Sequence, residues 1–483
     1  MQGGKRKGSG RNSLPQTDKK IGSTIYVAGE LRDGINRYAI GDSFSEKCNS
    51  LLEAQVELLK DNLNQRVRFI DLFAGLGGIR LGFEQAFTNK GLETECVFSS
   101  EIKTHAIKAY KNYYHEENVS GDITQIKISD IPDFEFLLAG FPCQPFSFAG
   151  KGLGFADTRG TLFFEIEKIL SNKKPYGFLL ENVEGLVTHD DGKTLAVIID
   201  KLEKLDYEVI YKLIDSKDFG LAQSRKRVYL AGTKRQKISL DDFDLTSSLL
   251  CDILDQDLPT IKSNFTRKLF KNFKPEEVVG KAIKDKRGGS GNIHSWEFEL
   301  KGKTSKDQRN LLNLLLKERR KKIWAKEIGI DWMDGMPLTI TQIETFYKNP
   351  NLQELLDDLV EKKYLTLEHP RKLEDEKRIP DTSKPKGYNI VAGKLSFEFT
   401  KILDPQKLAP TLVAMDVSHI GVIDKGGLRR LSILEGQRLF GYPENYDLSF
   451  LKESEAFDLL GNTVCVPVIR AIAERLADSY NNQ

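Results

Sequence analysis

Short apolar runs alternate with helical segments between residues 66 and 233. The runs are VRFIDLF, CVFSSE, FEFLLAG, GFLLEN, EVIYKLI and RVYLAG. Their length and their β-branched and aromatic content predict strands, and strands that alternate with helices are typical of a parallel, doubly wound sheet. In such sheets ligands bind beyond the carboxyl ends of the strands. We therefore expect an α/β fold whose chemistry lies where these runs end.

The pattern differs on both sides of this region. Residues 1–20 are basic and almost free of apolar residues, which predicts a disordered tail, and residues 46–62 have the spacing of an amphipathic helix. The alternation stops after about residue 235 and resumes near residue 405. We therefore predict a tail at 1–20, an N-terminal extension at 21–65, a main domain at 66–240, an inserted domain at 241–405 and a return segment at 406–483. The return segment ends in a helix that we expect to pack on the main domain through Val468, Ile469, Ile472, Ala473 and Leu476.

Composition limits the class of protein. A chain of 483 residues with 40% hydrophobic content can bury a sizeable core, in two or three globular units. The 5 cysteines are scattered without a Cys-x-x-Cys pair, so we expect neither a disulfide framework nor a zinc site. The absence of a long apolar run and of a signal core predicts a cytoplasmic protein. The formal net charge of +2 is too small to indicate a nucleic-acid partner by itself. Any contact with nucleic acid would have to come from local basic clusters such as KERRKK at 317–322.

The first apolar run leads into a glycine-rich turn within FIDLFAGLGGIRLGFEQAF, residues 69–87. Glycines let a ligand approach the backbone, and the following helix N-terminus favours polar or anionic groups. Arg80 stands where a dinucleotide fingerprint needs its third glycine. Glu101 and Asp122 follow at later strand ends, and an acid about 20 residues past such a turn suits ribose hydroxyls. The pattern favours a nucleoside cofactor without a pyrophosphate, with a plain tight turn as the alternative.

Three later motifs place reactive side chains at strand ends. Cys143 lies between prolines in GFPCQPFS, where a rigid strand end suits a nucleophile, although free cysteines are often buried hydrophobes. Glu181 ends GFLLEN, where desolvation would raise the pKa of a proton donor, although an acid there can also cap a helix. Gln223, Arg225 and Arg227 alternate along one strand face and suit a phosphate or a base carbonyl, or only solubilise an edge strand.

Taken in order, these motifs resemble the cytosine-C5 DNA methyltransferase family, and most of all its bacterial restriction-modification members. The motifs are DLFAGLGG, the Glu101 segment, GDIT, GFPCQPFS, ENVEGL, QSRKR, RRLSILEGQRLFGYP at 429–443 and LLGNTV at 459–464. The resemblance covers residues 66–233 and 405–478. It implies a doubly wound mixed sheet of the S-adenosylmethionine-dependent methyltransferase type, Rossmann-like, with a smaller target-recognition domain inserted before the C-terminal helix.

The resemblance also implies that the cofactor is S-adenosyl-L-methionine and that no metal takes part. Glu101 would bind the ribose hydroxyls and Asp122 the adenine amino group, while Asn462 and Val464 would close the pocket around the methionine part. The complete set of cofactor residues implied in this way is Phe73, Ala74, Gly75, Leu76, Gly78, Glu101, Ile102, Asp122, Ile123, Pro142, Asn462 and Val464.

For catalysis, the resemblance implies covalent attack on a cytosine flipped out of duplex DNA. The Cys143 thiolate would add to C6 while Glu181 protonates or hydrogen-bonds N3, so that C5 can take the methyl group. Arg227 would hold the base O2, with Arg225 and Gln223 supporting the site. The target base has to leave the stack because its reacting face is inaccessible in the duplex.

Expected DNA contacts come from three parts of the chain. The loop at 144–160 would act as a lid that reaches phosphates through Ser147, Lys151 and Arg159, and Thr411 would also contact DNA. In the inserted domain we predict one helix from Ser305 to Lys326. Its expected apolar side is Leu311, Leu312, Leu314, Leu315 and Ile323, and its expected basic turn is Arg319, Arg320, Lys321 and Lys322, of which Arg320 and Lys321 would meet phosphate.

Residues 336–370 indicate a helix, a turn, a second helix and a strand. This order resembles a winged-helix unit whose second helix would enter a groove. Glu354, Asp357 and Asp358 argue against a close phosphate contact by that helix, so a structural subdomain is the alternative.

Other functions stay open at this point. A zinc deaminase would need a second cysteine where Phe146 stands, and His115-Glu116 matches only half of its motif. The tRNA-methylating branch of the same family has nearly the same motifs, although the long insert favours DNA. A DNA-binding subunit without catalysis would not need the intact set of Cys143, Glu181 and Arg227. We expect double-stranded DNA as the partner of a monomeric enzyme, no membrane, and protection of host DNA beside a cognate restriction endonuclease.

Overall fold

The computed structural model describes residues 28–64, 66–142, 162–286, 288–374, 377–391, 397–413 and 417–482. The chain divides into two compact units, Met1–Arg66 and Val67–Gln483. The first unit contains helices α1 (Gly29–Tyr38) and α2 (Phe44–Asn64). The predicted helix at 46–62 is therefore confirmed, but Leu51 and Leu52, two of the apolar residues whose spacing predicts it, are exposed. The tail predicted at 1–20 lies outside the described residues.

The second unit contains a six-stranded sheet in the order β2-β1-β3-β4-β6-β5. Its strands are β1 (Val67–Leu72), β2 (Thr94–Ser100), β3 (Phe136–Gly140), β4 (Gly177–Val183), β5 (Glu208–Asp215) and β6 (Lys226–Thr233). β1 to β4 pair in parallel, whereas β6 runs antiparallel to both β4 and β5. The wholly parallel sheet predicted from the alternation is wrong for β6, because β5 and β6 are joined without the crossover helix that parallel pairing needs. The mixed sheet implied by the resemblance is confirmed.

Helices cover both faces of this sheet. They are α3 (Gly78–Asn89), α4 (Thr104–Tyr114), α5 (Leu162–Lys173), α6 (Gly185–Thr188) and α7 (Lys193–Glu203). Neighbouring strand residues point to opposite faces, so Phe69 belongs to one apolar core and Ile70 to another. Two buried cores hold the strands in place and leave their carboxyl ends to form a polar edge.

The chain after β6 builds smaller sheets and a helical cluster. Its helices are α8 (Asn264–Asn272), α9 (Pro275–Val278), α10 (Lys306–Glu318), α11 (Lys322–Glu327), α12 (Ile340–Phe346) and α13 (Leu352–Glu361). Its strands are β7 (Ala282–Ile283), β8 (Asn292–Ile293), β9 (Leu365–Glu368), β10 (Arg371–Glu374), β11 (Lys377–Pro380), β12 (Gly387–Ile390), β13 (Lys401–Ile402), β14 (Ile420–Asp424) and β15 (Gly427–Arg430). α12, α13 and β9 confirm the helix, turn, helix and strand order predicted for 336–370.

This region has an apolar core of its own, centred on residues such as Trp296, Leu312 and Leu356. A five-stranded sheet in the order β15-β14-β13-β7-β8 combines strands from both sides of residue 405. The boundaries 241–405 stay a prediction.

The single helix predicted from Ser305 to Lys326 is wrong. α10 ends at Glu318 and α11 begins only at Lys322. Between them Arg319 turns inward, is 4% exposed and donates to Asn389 Oδ1 at 2.6 Å. Arg319 is therefore not part of a solvated basic face, and Ile323 of the expected apolar side is exposed because α11 is a separate helix.

The chain ends in α14 (Ile433–Arg438), α15 (Glu453–Asn462) and α16 (Val466–Asn481). The predicted return of the last helix is confirmed, because its five expected apolar residues are buried and it packs on α3. A Cβ at Gly82 of α3 would lie 2.7 Å from Ile469 Cβ, so only glycine allows this approach. No single described helix is long and apolar enough to cross a membrane; α15 and α16 pass that test only as a bent pair.

Candidate active site

The glycine-rich turn after β1 has a left-handed backbone. Phe73, Gly75 and Gly77 have φ angles of 56°, 55° and 68°. A bulky residue such as Phe73 rarely adopts a positive φ, and such strain is found mostly at functional sites. The Tyr114 hydroxyl donates to the Gly77 carbonyl at 2.7 Å and holds the turn from the α4 side. This hydrogen bond ties the glycine-rich turn to α4.

The return segment presses on the same turn. A Cβ at Gly78 would lie 2.4 Å from the Tyr442 hydroxyl and 2.8 Å from Val464 Cγ2. The Tyr446 hydroxyl donates to the Leu76 carbonyl at 2.7 Å. The structure therefore brings together the first and last of the motifs, as the expected cofactor pocket requires.

Glu101 connects the turn to the end of β2. Its Oε2 accepts from the Gly75 N–H at 2.8 Å, and its Oε1 accepts from the N–H groups of Ile102 and Lys103, both at 2.8 Å. A carboxylate offers about four acceptor positions, so these three bonds orient Glu101 and leave room for a further donor. Ile102 beside it is 71% exposed.

The segment before Asp122 lies alongside this strand end, because the Glu101 N–H donates to the Ser120 carbonyl at 2.9 Å. Asp122 Oδ1 accepts from both the backbone and the hydroxyl of Thr124. Two carboxylates and an exposed apolar side chain at one edge fit the hydroxyls, amino group and ring of a nucleoside.

The other expected cofactor residues differ in exposure. The side chains of Ala74, Leu76, Ile123 and Val464 are buried. Pro142 and Asn462 are exposed.

Glu181 and Arg227 form an ion pair at the end of β4. Arg227 Nε lies 3.1 Å from Glu181 Oε1, and both side chains are mostly buried. Burial raises the pKa of Glu181, and this effect outweighs the opposing charges of Arg227 and Arg225. Glu181 therefore retains a proton to higher pH than an exposed glutamate.

Asn182 ties the Glu181 strand to the end of β3. Its buried side-chain amide donates to the Phe141 carbonyl at 2.9 Å. Phe141 is followed by Pro142 and then by Cys143, which lies outside the described residues, as do Ser147, Lys151 and Arg159. The described part of this segment is held beside Glu181, and the candidate nucleophile follows it in the chain.

Arg225 has a different environment from Arg227, although the alternation placed them on one face. Arg225 is 2% exposed and donates to the carbonyls of Leu412 at 2.9 Å and Thr463 at 2.8 Å. Gln223 is fully buried and bonds both the Leu412 N–H and the Leu439 carbonyl. These two side chains bind the backbone of the return segment.

The sequence model of the family described as C-5 cytosine-specific DNA methylase matches residues 67–478. The chain belongs to this family. It is 58% identical to the type II methyltransferase M.NlaIV of Neisseria lactamica over 85% of this chain and 99% of that protein. It is 42% identical to the type II methyltransferase M.HgiCI of Herpetosiphon aurantiacus over 84% of this chain and 96% of that protein.

This C-5 methylase is therefore a DNA (cytosine-5-)-methyltransferase, and S-adenosylmethionine-dependent methylation follows from the family. The crevice between the strand ends of the methylase holds Glu181 and Arg227. The turn with Gly75 is bonded by Glu101 from the end of β2, and Val464 of the return segment lies beside Gly78. Other expected DNA contacts are less available. Arg320 Nε lies 2.8 Å from Asp334, and Lys321 Nζ 2.7 Å from Glu318.

The Thr411 hydroxyl donates to the Ser224 carbonyl at 2.8 Å, so Thr411 lies beside the segment that leads into β6. Its role in DNA binding stays a prediction, as do those of Arg320 and Lys321.

Sequence reasoning missed three residues that shape this site. Two of them had a signal in the sequence: Asn182 is a polar residue that directly follows Glu181 at the end of an apolar run, and Tyr442 is the aromatic residue of the GYP motif. Asp458 was not recognisable locally as a partner of α4, because His105 and Lys103, which lie 2.8 Å and 3.0 Å from its Oδ2, are far away in the sequence.

Proposed function

We propose that this methylase transfers a methyl group to C5 of one specific cytosine in double-stranded DNA, by base flipping and covalent catalysis from Cys143. The observation that supports it best is the buried pair of Glu181 and Arg227, 3.1 Å apart, beside the strand end that leads to Cys143. An acid with a raised pKa and a guanidinium next to it suit the N3 and O2 atoms of cytosine.

Cytosine C5 is too weak a nucleophile to accept a methyl group unaided. The Cys143 thiolate forms a bond to C6 while Glu181 gives a proton to N3, which leaves an enamine whose C5 is nucleophilic. Arg227 stabilises the charge that develops at O2 with a guanidinium nitrogen not bound to Glu181. After methylation a base removes the C5 proton, the C5–H electrons form the C5=C6 double bond as the Sγ–C6 bond breaks to release thiolate, and N3 returns its proton to Glu181.

S-adenosylmethionine supplies the methyl group when it is bound. Three backbone N–H groups orient Glu101, which accepts from the ribose hydroxyls. Asp122 belongs to the segment that lies alongside the end of β2, and it accepts from the adenine amino group. Ile102 offers an exposed apolar surface to the ring. Asn462 and Val464 close the pocket beside Gly78.

Arg225 and Gln223 act as positioning residues in this proposal. Their hydrogen bonds fix Leu412 and Thr463, so they hold the return segment against the main sheet. The cofactor-closing motif depends on them for its position.

Target recognition is assigned to residues 241–405, and within them to the hairpin of β10 and β11. All four residues of each strand are exposed. Leu373 pairs with Arg378 and Arg371 with Pro380, so among the eight paired residues of the two strands one face carries two arginines and an exposed leucine and no acid. α13, the second helix of the winged-helix interpretation, instead carries Asp357 and other acids, which repel phosphate. The arginine face is the better match to a DNA groove.

The biological role that we propose is protection of host DNA in a restriction-modification system, as a monomer on DNA and beside a cognate restriction endonuclease. Its support is the similarity to type II methyltransferases such as M.NlaIV over most of both chains.

Bisulfite mapping tests the proposal. DNA from cells that express the wild-type chain should contain 5-methylcytosine at one short sequence, and DNA from cells that express Cys143→Ser should not. Purified protein should transfer labelled methyl groups to duplex DNA and not to tRNA. Label on tRNA alone would favour the tRNA branch, and unmodified cytosines in both DNA samples would contradict the proposal.

A further inference from the structure

Asp458 on α15 is a meeting point of three polar side chains. Its Oδ2 lies 2.8 Å from His105 Nε2 and 3.0 Å from Lys103 Nζ. Its Oδ1 accepts from Asn462 Nδ2 at 3.1 Å, and its carbonyl accepts from the same amide at 2.7 Å. One carboxylate therefore holds donors from α15 itself and from the start of α4.

These donors belong to opposite walls of the proposed cofactor pocket. Lys103 directly follows the Glu101 segment, and its N–H donates to Glu101 Oε1 at 2.8 Å. Asn462 belongs to the last motif, which meets the glycine-rich turn through its neighbour Val464. A continuous path of hydrogen bonds thus runs from Gly75 through Glu101 and Lys103 to Asp458 and Asn462.

The hydrogen bonds of this cluster fix the positions of its side chains but contribute little to the free energy of folding. The side chains of Lys103, His105 and Asp458 are 43%, 27% and 33% exposed, and ion pairs this exposed contribute little to stability. Burial acts to raise the pKa of Asp458, but hydrogen bonds from His105 and Lys103 hold it below its usual value, so the carboxylate stays charged. Asn462 would otherwise be an exposed side chain with many rotamers.

We propose that Asp458 is a positioning residue of the cofactor site. It joins the N-terminal end of α4 to the LLGNTV motif at 459–464. The proposal rests on the proposed use of S-adenosylmethionine. Asp458 does not touch the reacting atoms, and it acts by keeping Asn462 and the Glu101 segment at a fixed separation. Its loss lets the two walls move apart, which weakens cofactor binding and leaves the chemical step intact once the site is filled.

The test is the affinity of the full chain for S-adenosylhomocysteine, measured by titration calorimetry. Asp458→Ala should weaken binding about tenfold, which corresponds to about 1.4 kcal/mol. Lys103→Ala should act in the same direction, and the double variant should be no weaker than the stronger single one, because both remove one contact. Asp458→Glu should restore part of the affinity. In steady state the KM for S-adenosylmethionine should rise while kcat stays unchanged.

Asp478→Asn is the matched control. It breaks an equally exposed ion pair, Asp478 with Lys90 at 2.7 Å, which also joins the return segment to the main domain but lies away from the pocket. Its affinity for S-adenosylhomocysteine should equal that of the wild type. Thermal unfolding of each variant shows whether the fold is kept, and Lys103→Ala at the surface tests the idea even if Asp458→Ala fails to fold.

Two results would overturn the inference, and they are distinguishable. If the wild type binds S-adenosylhomocysteine and both Asp458→Ala and Lys103→Ala bind it equally well, Asp458 has no positioning role and the proposed function stands. If the wild type does not bind S-adenosylhomocysteine, the proposed function and this inference are both wrong.

Discussion

Charged groups are used differently in the strand-end crevice and in the inserted region. In the crevice the charges are buried and committed to one another, as in Glu181 and Arg227, which lie 3.1 Å apart. On the β10–β11 hairpin the charges are exposed. Buried groups fix a geometry for chemistry, whereas exposed ones can still be matched to a partner.

The comparison implies that single changes in the crevice remove activity while changes on the hairpin weaken DNA binding gradually.

Glu181→Gln should reduce the rate of methyl transfer about 10²- to 10⁴-fold, because the amide cannot give a proton to N3. Single-turnover transfer to duplex DNA measures the effect. Glu184→Gln, at an exposed position of the same segment, is the control and should keep the wild-type rate. A Glu181→Gln enzyme as fast as the wild type would mean that the acid role is wrong.

The pH dependence of the same reaction gives a second test of Glu181. Because its pKa is raised and the protonated form is the active one, kcat/KM should fall as pH rises through that pKa. Glu181→Gln should lack this alkaline fall in its residual activity. If kcat/KM fell at the same alkaline pH in both proteins, the titrating group would not be Glu181.

Arg225→Lys and Arg227→Lys should separate structure from chemistry. Lysine cannot span Leu412 and Thr463, so Arg225→Lys should lower the free energy of unfolding by about 3 kcal/mol, measured in urea. Arg227→Lys should lose activity and keep most of its stability. If the stability losses were reversed, the roles of the two arginines would have to be exchanged.

The smallest effect is expected on the hairpin. Replacing Arg371 and Arg378 together by alanine should weaken DNA binding and reduce the salt slope of log K by about 2, one for each lost phosphate contact. The control is the double alanine variant of Lys372 and Lys377 on the opposite face, where Lys372 is paired with Glu374 at 2.9 Å. Equal losses from both faces would show that only net charge matters.

Most of the crevice could be predicted from the sequence, because its residues lie at the ends of strands that their own apolar runs define. Glu181 and Glu101 are examples. The alternation did not predict the antiparallel direction of β6. That direction follows from the short connection between β5 and β6, which contains no crossover helix. The break after α10 and the Asp458 cluster depend on contacts between residues far apart in the chain, Arg319 with Asn389 and Asp458 with His105. No local pattern reports such pairs.

The central claim is that the strand-end crevice methylates cytosine through Cys143. The most direct measurement is transfer of labelled methyl groups to duplex DNA by Cys143→Ser beside the wild type, with DNA binding measured on the same samples. We predict that the variant binds DNA and transfers no label. Methyl transfer by Cys143→Ser at the wild-type rate would contradict the account.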